Sequence, residues 1–239
     1  MLLIPLFVFG LVVGSFISAF TYRYPRKIQF LTGRSFCPKC KKTISWFDNI
    51  PVLSFILLGG WCRKCKKPIS RRYPLIELAG GIGFLLIGFN LPWLAIYCVL
   101  LAIFVIDFEK QIIPDELIFW GMFFALFLTP DSLAGALLAG FLSATILLLI
   151  HLITRGRGMG LGDVKFAVLG GMIVGLKLSL AWLFLAFLTG GIVGVILILG
   201  GKKKLKDKIA FGPFLVTAIP VLHLLSLSSW LRSLLFWWF

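Results

Sequence analysis

Acidic residues are scarce in this chain. Nine Asp and Glu stand against 24 Lys and Arg in 239 residues, and charged residues of both signs make up only 14%. A soluble globular domain carries about a quarter charged and about half apolar residues. Here 60% of the residues are hydrophobic. The shortage of charge excludes a soluble domain and predicts a polytopic membrane protein. Also missing is any Lys or Arg ahead of the first apolar run, where a cleaved signal peptide would carry its positive region. Arg23, Arg26 and Lys27 follow that run instead, so it is expected to stay as a membrane anchor. No internal repeat or low-complexity segment stands out. The two histidines, His151 and His223, lie on apolar stretches, where interior hydrogen-bonded roles are expected.

A spanning helix needs about 20 apolar residues, fewer at a tapered end. Eight candidates are expected: 2–21, 74–89, 92–106, 116–129, 132–153, 164–177, 179–200 and 210–231. Asn90-Leu91-Pro92 splits the second from the third, and Thr129-Pro130-Asp131 splits the fourth from the fifth. Between 164 and 200, Gly170, Gly171, Gly175 and Lys177 offer several break points. If residues 22–73 are cytoplasmic, 22 of the Lys and Arg residues fall on that side. Thirteen are in this loop; the others are Lys110, Arg155, Arg157, Lys165 and five lysines from Lys202 to Lys208. Only Lys177 and Arg232 fall opposite. Positive residues in short loops stay cytoplasmic, so both termini are expected outside. The net charge of +15 is then an orientation signal with affinity for anionic lipid headgroups, and nucleic acid is not an expected partner. The expected fold is an all-α membrane protein of about eight transmembrane helices: a first helix (1–21), a small cytoplasmic module (22–73) and a transmembrane core (74–239).

The module holds four of the five cysteines. Cys37-Pro38-Lys39-Cys40 and Cys62-Arg63-Lys64-Cys65 form two C-x2-C knuckles separated by 21 residues, close to the spacing of zinc ribbons. Basic residues crowd both knuckles and favour thiolates. In a reducing cytosol the pattern reads as a metal site rather than two disulfides. Four thiolates leave no open coordination position, so the Zn²⁺ is structural: it folds a loop that lacks the core to fold alone. Cys98, inside an apolar span, is expected to be packing.

Two aspartates sit at span edges. Asp107 closes the third span, and Asp163 opens the sixth within Gly160-Leu161-Gly162-Asp163. With the topology set by Lys and Arg alone, both carboxylates fall at the cytoplasmic ends of their helices. An ionisable residue there is a functional hypothesis by default. Two carboxylates a few ångströms apart share a proton, so one can act as base on a water and the other as acid toward a scissile carbonyl. Gly160 and Gly162 would let the backbone bend and approach a peptide closely, and Asp163 would sit at a helix N-terminus. Three other readings stand beside this one. Either aspartate could cap a helix or pair with Lys110 or Lys165. Asp107, Glu109, Asp115 and Asp163 could hold a divalent cation. The pair could carry ions or protons through a pore. Asp115 and Glu116 follow Pro114, and helix N-capping accounts for them.

The chain resembles the bacterial type IV prepilin peptidases of the longer, zinc-module kind over nearly its whole length. The likeness rests on Gly14-Ser15-Phe16, Arg34-Ser35-x-Cys37-Pro38-x-Cys40, Asp48-Asn49-Ile50-Pro51-Val52-Leu53-Ser54 and Cys62-x-x-Cys65. It continues through Ile69-Ser70-x-Arg72-Tyr73-Pro74-Leu75-x-Glu77, Ile106-Asp107-x5-Ile113-Pro114-Asp115 and Gly158-Met159-Gly160-x-Gly162-Asp163-x-Lys165. The resemblance implies an intramembrane aspartyl protease of the Gly-x-Gly-Asp kind in the bacterial inner membrane. It would remove the short basic leader of prepilins and pseudopilins, the subunits of type IV pilus and type II secretion machines. By the same resemblance Asp107 and Asp163 are the catalytic pair, the four cysteines bind zinc, and the new N-terminus is methylated with S-adenosylmethionine. No glycine-rich nucleotide loop after a strand is visible; Gly60, Asp48 and Asn49, flanking the module, are the candidate cofactor contacts. The rival functions are a peptidase without methylation whose module is a substrate platform, an ion or proton translocator, and a non-enzymatic zinc-anchored scaffold.

Overall fold

The computed structural model describes residues 3–29, 34–128, 133–204 and 209–227, the side chains of 224–227 excepted. The connection from Thr129 to Ser132, Lys206, Lys208, Arg232 and the end of the expected eighth span lie outside the described residues. Within them the chain is helical, without strands. The helices are α1 (Leu3–Arg23), α2 (Leu53–Leu57), α3 (Arg72–Ile87), α4 (Leu91–Lys110), α5 (Asp115–Ala125), α6 (Leu133–Ile153), α7 (Leu161–Val174), α8 (Leu176–Leu199) and α9 (Gly212–Leu227).

Each expected span corresponds to one of these helices. Four regions are long and apolar enough to cross a membrane by length and composition: Leu3–Arg26, Leu91–Lys110, Leu133–Ile153 and Leu176–Leu199. The others (α3, α5, α7 and α9) have 16, 11, 14 and 16 described residues. The ambiguity between 164 and 200 resolves at Gly175, whose φ of 80° ends α7 and starts α8 in a region that an L side chain avoids. Gly170 and Gly171 are used for packing instead. The second break falls at Gly88 (φ 73°), after which the Asn90 Oδ1 accepts the Trp93 N–H at 3.3 Å and opens α4.

The chain forms two compact units, Met1–Ala102 and Ile103–Phe239. In the first, α1 and α3 pack antiparallel along glycines. A Cβ on Gly14 would lie 2.8 Å from the Glu77 Cα, and one on Gly10 would lie 2.6 Å from the Gly80 carbonyl oxygen. Between helices in lipid, such close backbone approach supplies the dispersion contact that hydrophobicity cannot. At one end the Arg72 guanidinium donates to the Ser18 carbonyl (2.8 Å) and to Thr21 Oγ1 (2.6 Å). Tyr97 of α4 donates to the Ala79 carbonyl at 2.6 Å. The buried Arg23 donates to the carbonyls of Gln29 (3.5 Å) and Arg34 (3.3 Å), holding the chain as it leaves α1.

The module contains an internal repeat, contrary to the expectation of none. Cys-x-Lys-Cys-Lys-Lys-x-Ile-Ser occurs from Cys37 to Ser45 and again from Cys62 to Ser70. Both copies fold identically. Cys37 N–H donates to the Lys42 carbonyl and Lys41 N–H to the Cys37 carbonyl, while Cys62 donates to Lys67 and Lys66 to Cys62, all at 2.8–3.0 Å. Lys41 (φ 57°) and Lys66 (φ 54°) take the same left-handed turn, and Phe36–Thr43 and Trp61–Pro68 form matching antiparallel bridges.

In the second unit α6 packs on α7 through Gly140 and Gly171, and the Trp182 indole of α8 is fully buried, donating to the Leu215 carbonyl of α9 at 2.9 Å. Gly170 leaves room for that ring. We expect Gly14→Ala to destabilise the protein by about 1–3 kcal/mol through overpacking. Gly191→Ala, where no atom lies within 4 Å, should be neutral or slightly stabilising. Thermal unfolding in detergent of the two variants checks this.

Candidate catalytic and metal sites

The second unit brings Asp107 and Asp163 together. Asp107 lies in the last turn of α4, which runs one turn past the expected end to Lys110, and is 4% exposed. Asp163 is the third residue of α7 and is 9% exposed. Gly160, in extended backbone (φ −78°, ψ 149°), precedes the helix, and its N–H donates to Asp163 Oδ2 at 3.2 Å. This is the carboxylate half of a capping box. The two carboxylates are close enough for their charges to interact. Asp107 Oδ2 is buried without a hydrogen-bond partner. A buried polar atom left without a partner is costly and calls for an explanation.

Two residues that sequence reasoning missed complete this corner. A Cβ on Gly212, the first residue of α9, would lie 2.6 Å from Asp107 Oδ2. The same Cβ would lie 3.2 Å from Ile113 Cδ1. Ile113 in turn packs beside Gly162, whose Cβ would lie 3.4 Å from Ile113 Cβ. Gly162 and Gly212 thus leave space on either side of one buried isoleucine. The signal in the sequence is Phe211-Gly212-Pro213 opening an apolar run. Gly160 departs from expectation: its φ is one that any residue adopts, so what it contributes is an N–H and a small volume, not backbone bending.

The alternatives for the aspartates narrow. Lys165 donates to both oxygens of Asp115 at 2.8 Å, bridging α7 and α5. Asp115 therefore pairs rather than capping α5, whose cap position is Pro114 with no side-chain hydrogen bond. Lys165 is thereby engaged away from Asp163. His151 is hydrogen-bonded as expected, its Nδ1 2.7 Å from the Met159 carbonyl, which steadies the turn leading to Gly160. His223 instead lies exposed on α9, because it falls on the helix face turned from the packed core.

In the first unit the sulfurs of Cys37, Cys40, Cys62 and Cys65 all lie within 4.8 Å of one another. Among the described residues this is the one group of potential ligands with metal-binding spacing, and Asp107, Glu109, Asp115 and Asp163 do not form another. A tetrahedral Zn²⁺ with sulfur at about 2.3 Å sets its ligands about 3.8 Å apart, so the cluster fits. All five cysteines are free thiols, and Cys98 is half-buried in α4. The chemistry also fits. A backbone hydrogen bond from Cys65 draws the Cys62 thiol down to about 7. Cys65 accepts a backbone hydrogen bond from Lys67, yet desolvation and the neighbouring sulfurs push it up to about 11. One thiolate forms readily and resists the next until a cation neutralises them.

The candidate cofactor contacts lie between the two knuckles. The Asp48 carboxylate is held by the Arg63 guanidinium at 2.8–3.1 Å. Gly60 (φ 77°) packs on Phe55, its carbonyl accepting the Ile69 N–H, and Asn49 is exposed. Asp48 and Gly60 thus take part in the module's own fold, and Asn49 lies exposed beside them.

Residues 8–91 match the bacterial Peptidase A24 N-terminal domain, and residues 94–195 match the Type IV leader peptidase family. The chain is 31% identical to a prepilin leader peptidase/N-methyltransferase of Pseudomonas aeruginosa, covering 87% of this chain and 85% of that protein. It is 38% identical to one of Klebsiella pneumoniae (69% and 82%) and 32% identical to one of Bacillus subtilis (87% and 88%). No solved structure matches.

The purified protein is expected to carry one Zn²⁺ per chain, measured by elemental analysis, and Cys37→Ser or Cys65→Ser to lose it. Protons compete with the metal for thiolates, so retention on dialysis should fall as pH drops below neutral.

Proposed function

Because the chain belongs to the type IV leader peptidase family, we propose that it cleaves the basic leader of prepilins and pseudopilins in the bacterial inner membrane and methylates the new N-terminus. The pairing of two buried carboxylates, one with an oxygen left unpartnered, is the observation that carries the cleavage chemistry. We assign Asp107 and Asp163 as the catalytic pair. One carboxylate takes a proton from a bound water, whose oxygen attacks the scissile carbonyl carbon. The other gives its proton to the carbonyl oxygen. The tetrahedral intermediate then collapses: the C–N bond breaks, the leaving amine takes the proton held by the base, and one diol hydroxyl returns its proton to the second carboxylate, which restores the singly protonated pair. Gly160 N–H orients Asp163, and Asp107 Oδ2, which lies against the Gly212 backbone without a well-formed hydrogen bond, is the oxygen we assign to water or substrate. Gly160 and Gly162 keep the approach to the pair small.

The remaining assignments follow from the charge pattern and the family. Eight spans, with the termini outside and the knuckles and dyad on the cytoplasmic side, accord with 22 of 24 Lys and Arg residues lying there. Residues 22–73 form the zinc module, where Cys37, Cys40, Cys62 and Cys65 hold a structural ion, and 74–239 the peptidase core. S-adenosylmethionine would supply the methyl group.

Asp107→Asn and Asp163→Asn should each lower cleavage of a prepilin by roughly 10²–10⁴-fold without changing thermal stability much. Equal cleavage by either variant and the unaltered protein would refute the dyad. Gly212→Ala places a methyl against Asp107 Oδ2. It should cost at least about tenfold in kcat, or about 1.4 kcal/mol. Label transfer from S-adenosylmethionine to the cleaved pilin separates the bifunctional enzyme from a peptidase alone. Cation or proton flux in liposomes without cleavage would instead favour a translocator.

A further inference from the structure

The interval between the knuckles presents apolar side chains that the module does not bury. On α2, Leu53, Ile56 and Leu57 are 48%, 65% and 74% exposed. Their i, i+3, i+4 spacing puts them on one face. The other face is satisfied: Ser54 is buried and donates to the Phe47 carbonyl at 2.8 Å, and Phe55 packs on Gly60. That hydrogen bond draws in the turn of Trp46–Asn49, where Trp46 is 77% exposed and packs edge-on against Phe47. Between Arg34 and Arg71 the buried side chains are Cys37 and Ser54, so the module has no interior to receive these groups.

A second observation places this face. Val52, immediately before α2, donates its N–H to Glu77 Oε2 at 2.7 Å. Glu77 is buried in α3, five residues past its start, or about 7–8 Å along the helix axis. Val52 adopts φ 59°, ψ −49°, a region that a β-branched residue avoids. The Glu77 bond thus fastens the start of α2 below the end of a span and turns the chain sharply there. The headgroup layer on each side of the hydrocarbon is about 5–8 Å deep. An element fastened at that depth, with an apolar face, tryptophans beside it and lysines on the adjoining knuckles, has the make-up of an interfacial helix.

We propose that α2 and the turn before it are an interfacial membrane element, with Leu53, Ile56 and Leu57 set into the lipid at the boundary of headgroups and acyl chains. Trp46 and Trp61 then lie at headgroup level, and Lys41, Lys42, Lys66 and Lys67 face anionic headgroups. The inference rests on reading α3 as a span, not on the peptidase chemistry.

The test is photocrosslinking of the full chain in nanodiscs of phosphatidylethanolamine and phosphatidylglycerol. Benzoylphenylalanine is placed singly at Ile56, Leu57, Leu86 and Lys64, and adducts are read by mass spectrometry. Leu86, 80% exposed on α3, reports the span, and Lys64, exposed on a knuckle, reports water. Lipid adducts at Ile56 and Leu57 matching those at Leu86, and none at Lys64, are the expected result. Lipid adducts at Leu86 but not at Ile56 or Leu57 overturn the inference. So do adducts at these two positions that form only with added prepilin, which would make the face a protein docking site. Failure at Leu86 itself would instead remove the reading of α3 as a span.

Discussion

A carboxylate set among hydrocarbon must find a donor or remain at a cost, and three buried carboxylates organise this chain by meeting that condition differently. Glu77 takes the N–H of Val52, a residue of the extramembrane interval, and so ties a loop to a helix. Asp163 takes the N–H of Gly160, within its own helix start, and is oriented locally. Asp107 keeps one oxygen without a well-formed hydrogen bond, against the Gly212 backbone. The first arrangement joins two elements and the second orients a side chain, while the third is the one to which the proposed function gives chemistry. All three depend on apolar surroundings, because in water each carboxylate would be solvated with no need of a partner.

Glycine supplies the second constraint, through volume more than flexibility. Gly10 and Gly14 let α1 reach α3, Gly140 and Gly171 let α6 reach α7, and Gly170 admits the Trp182 ring. At the dyad the same economy leaves Asp107 beside a backbone rather than beside a side chain. Gly175 and Gly88 are different, since their positive φ ends one helix so that the next can begin.

Much of this was legible in the sequence because the signals are local. The four cysteines declare their spacing, and Asp107 and Asp163 stand out as charges at the ends of apolar runs. The helix positions follow from apolar lengths and from Asn90-Leu91-Pro92. What was missed depends on partners far along the chain. Glu77 gains meaning only from Val52, and Gly212 only from Asp107, whose neighbourhood it serves by lacking a side chain. Asp115 reads as a cap until Lys165 of a different helix takes it. The repeat in the module was in plain view, but the shared pattern carries unlike residues at two of its nine positions, and its significance lies in hydrogen bonds that composition does not display.

Each knuckle brings half of a four-sulfur set in the same backbone geometry. What joins them, residues 46–61, contributes no ligand. The connector serves the module in another way, through the Asp48 carboxylate on Arg63 and the Gly60 carbonyl on Ile69. Ligands and exposed apolar face thus belong to different stretches of one small module: the first repeats a single backbone turn, and the second is carried by α2 between the two copies.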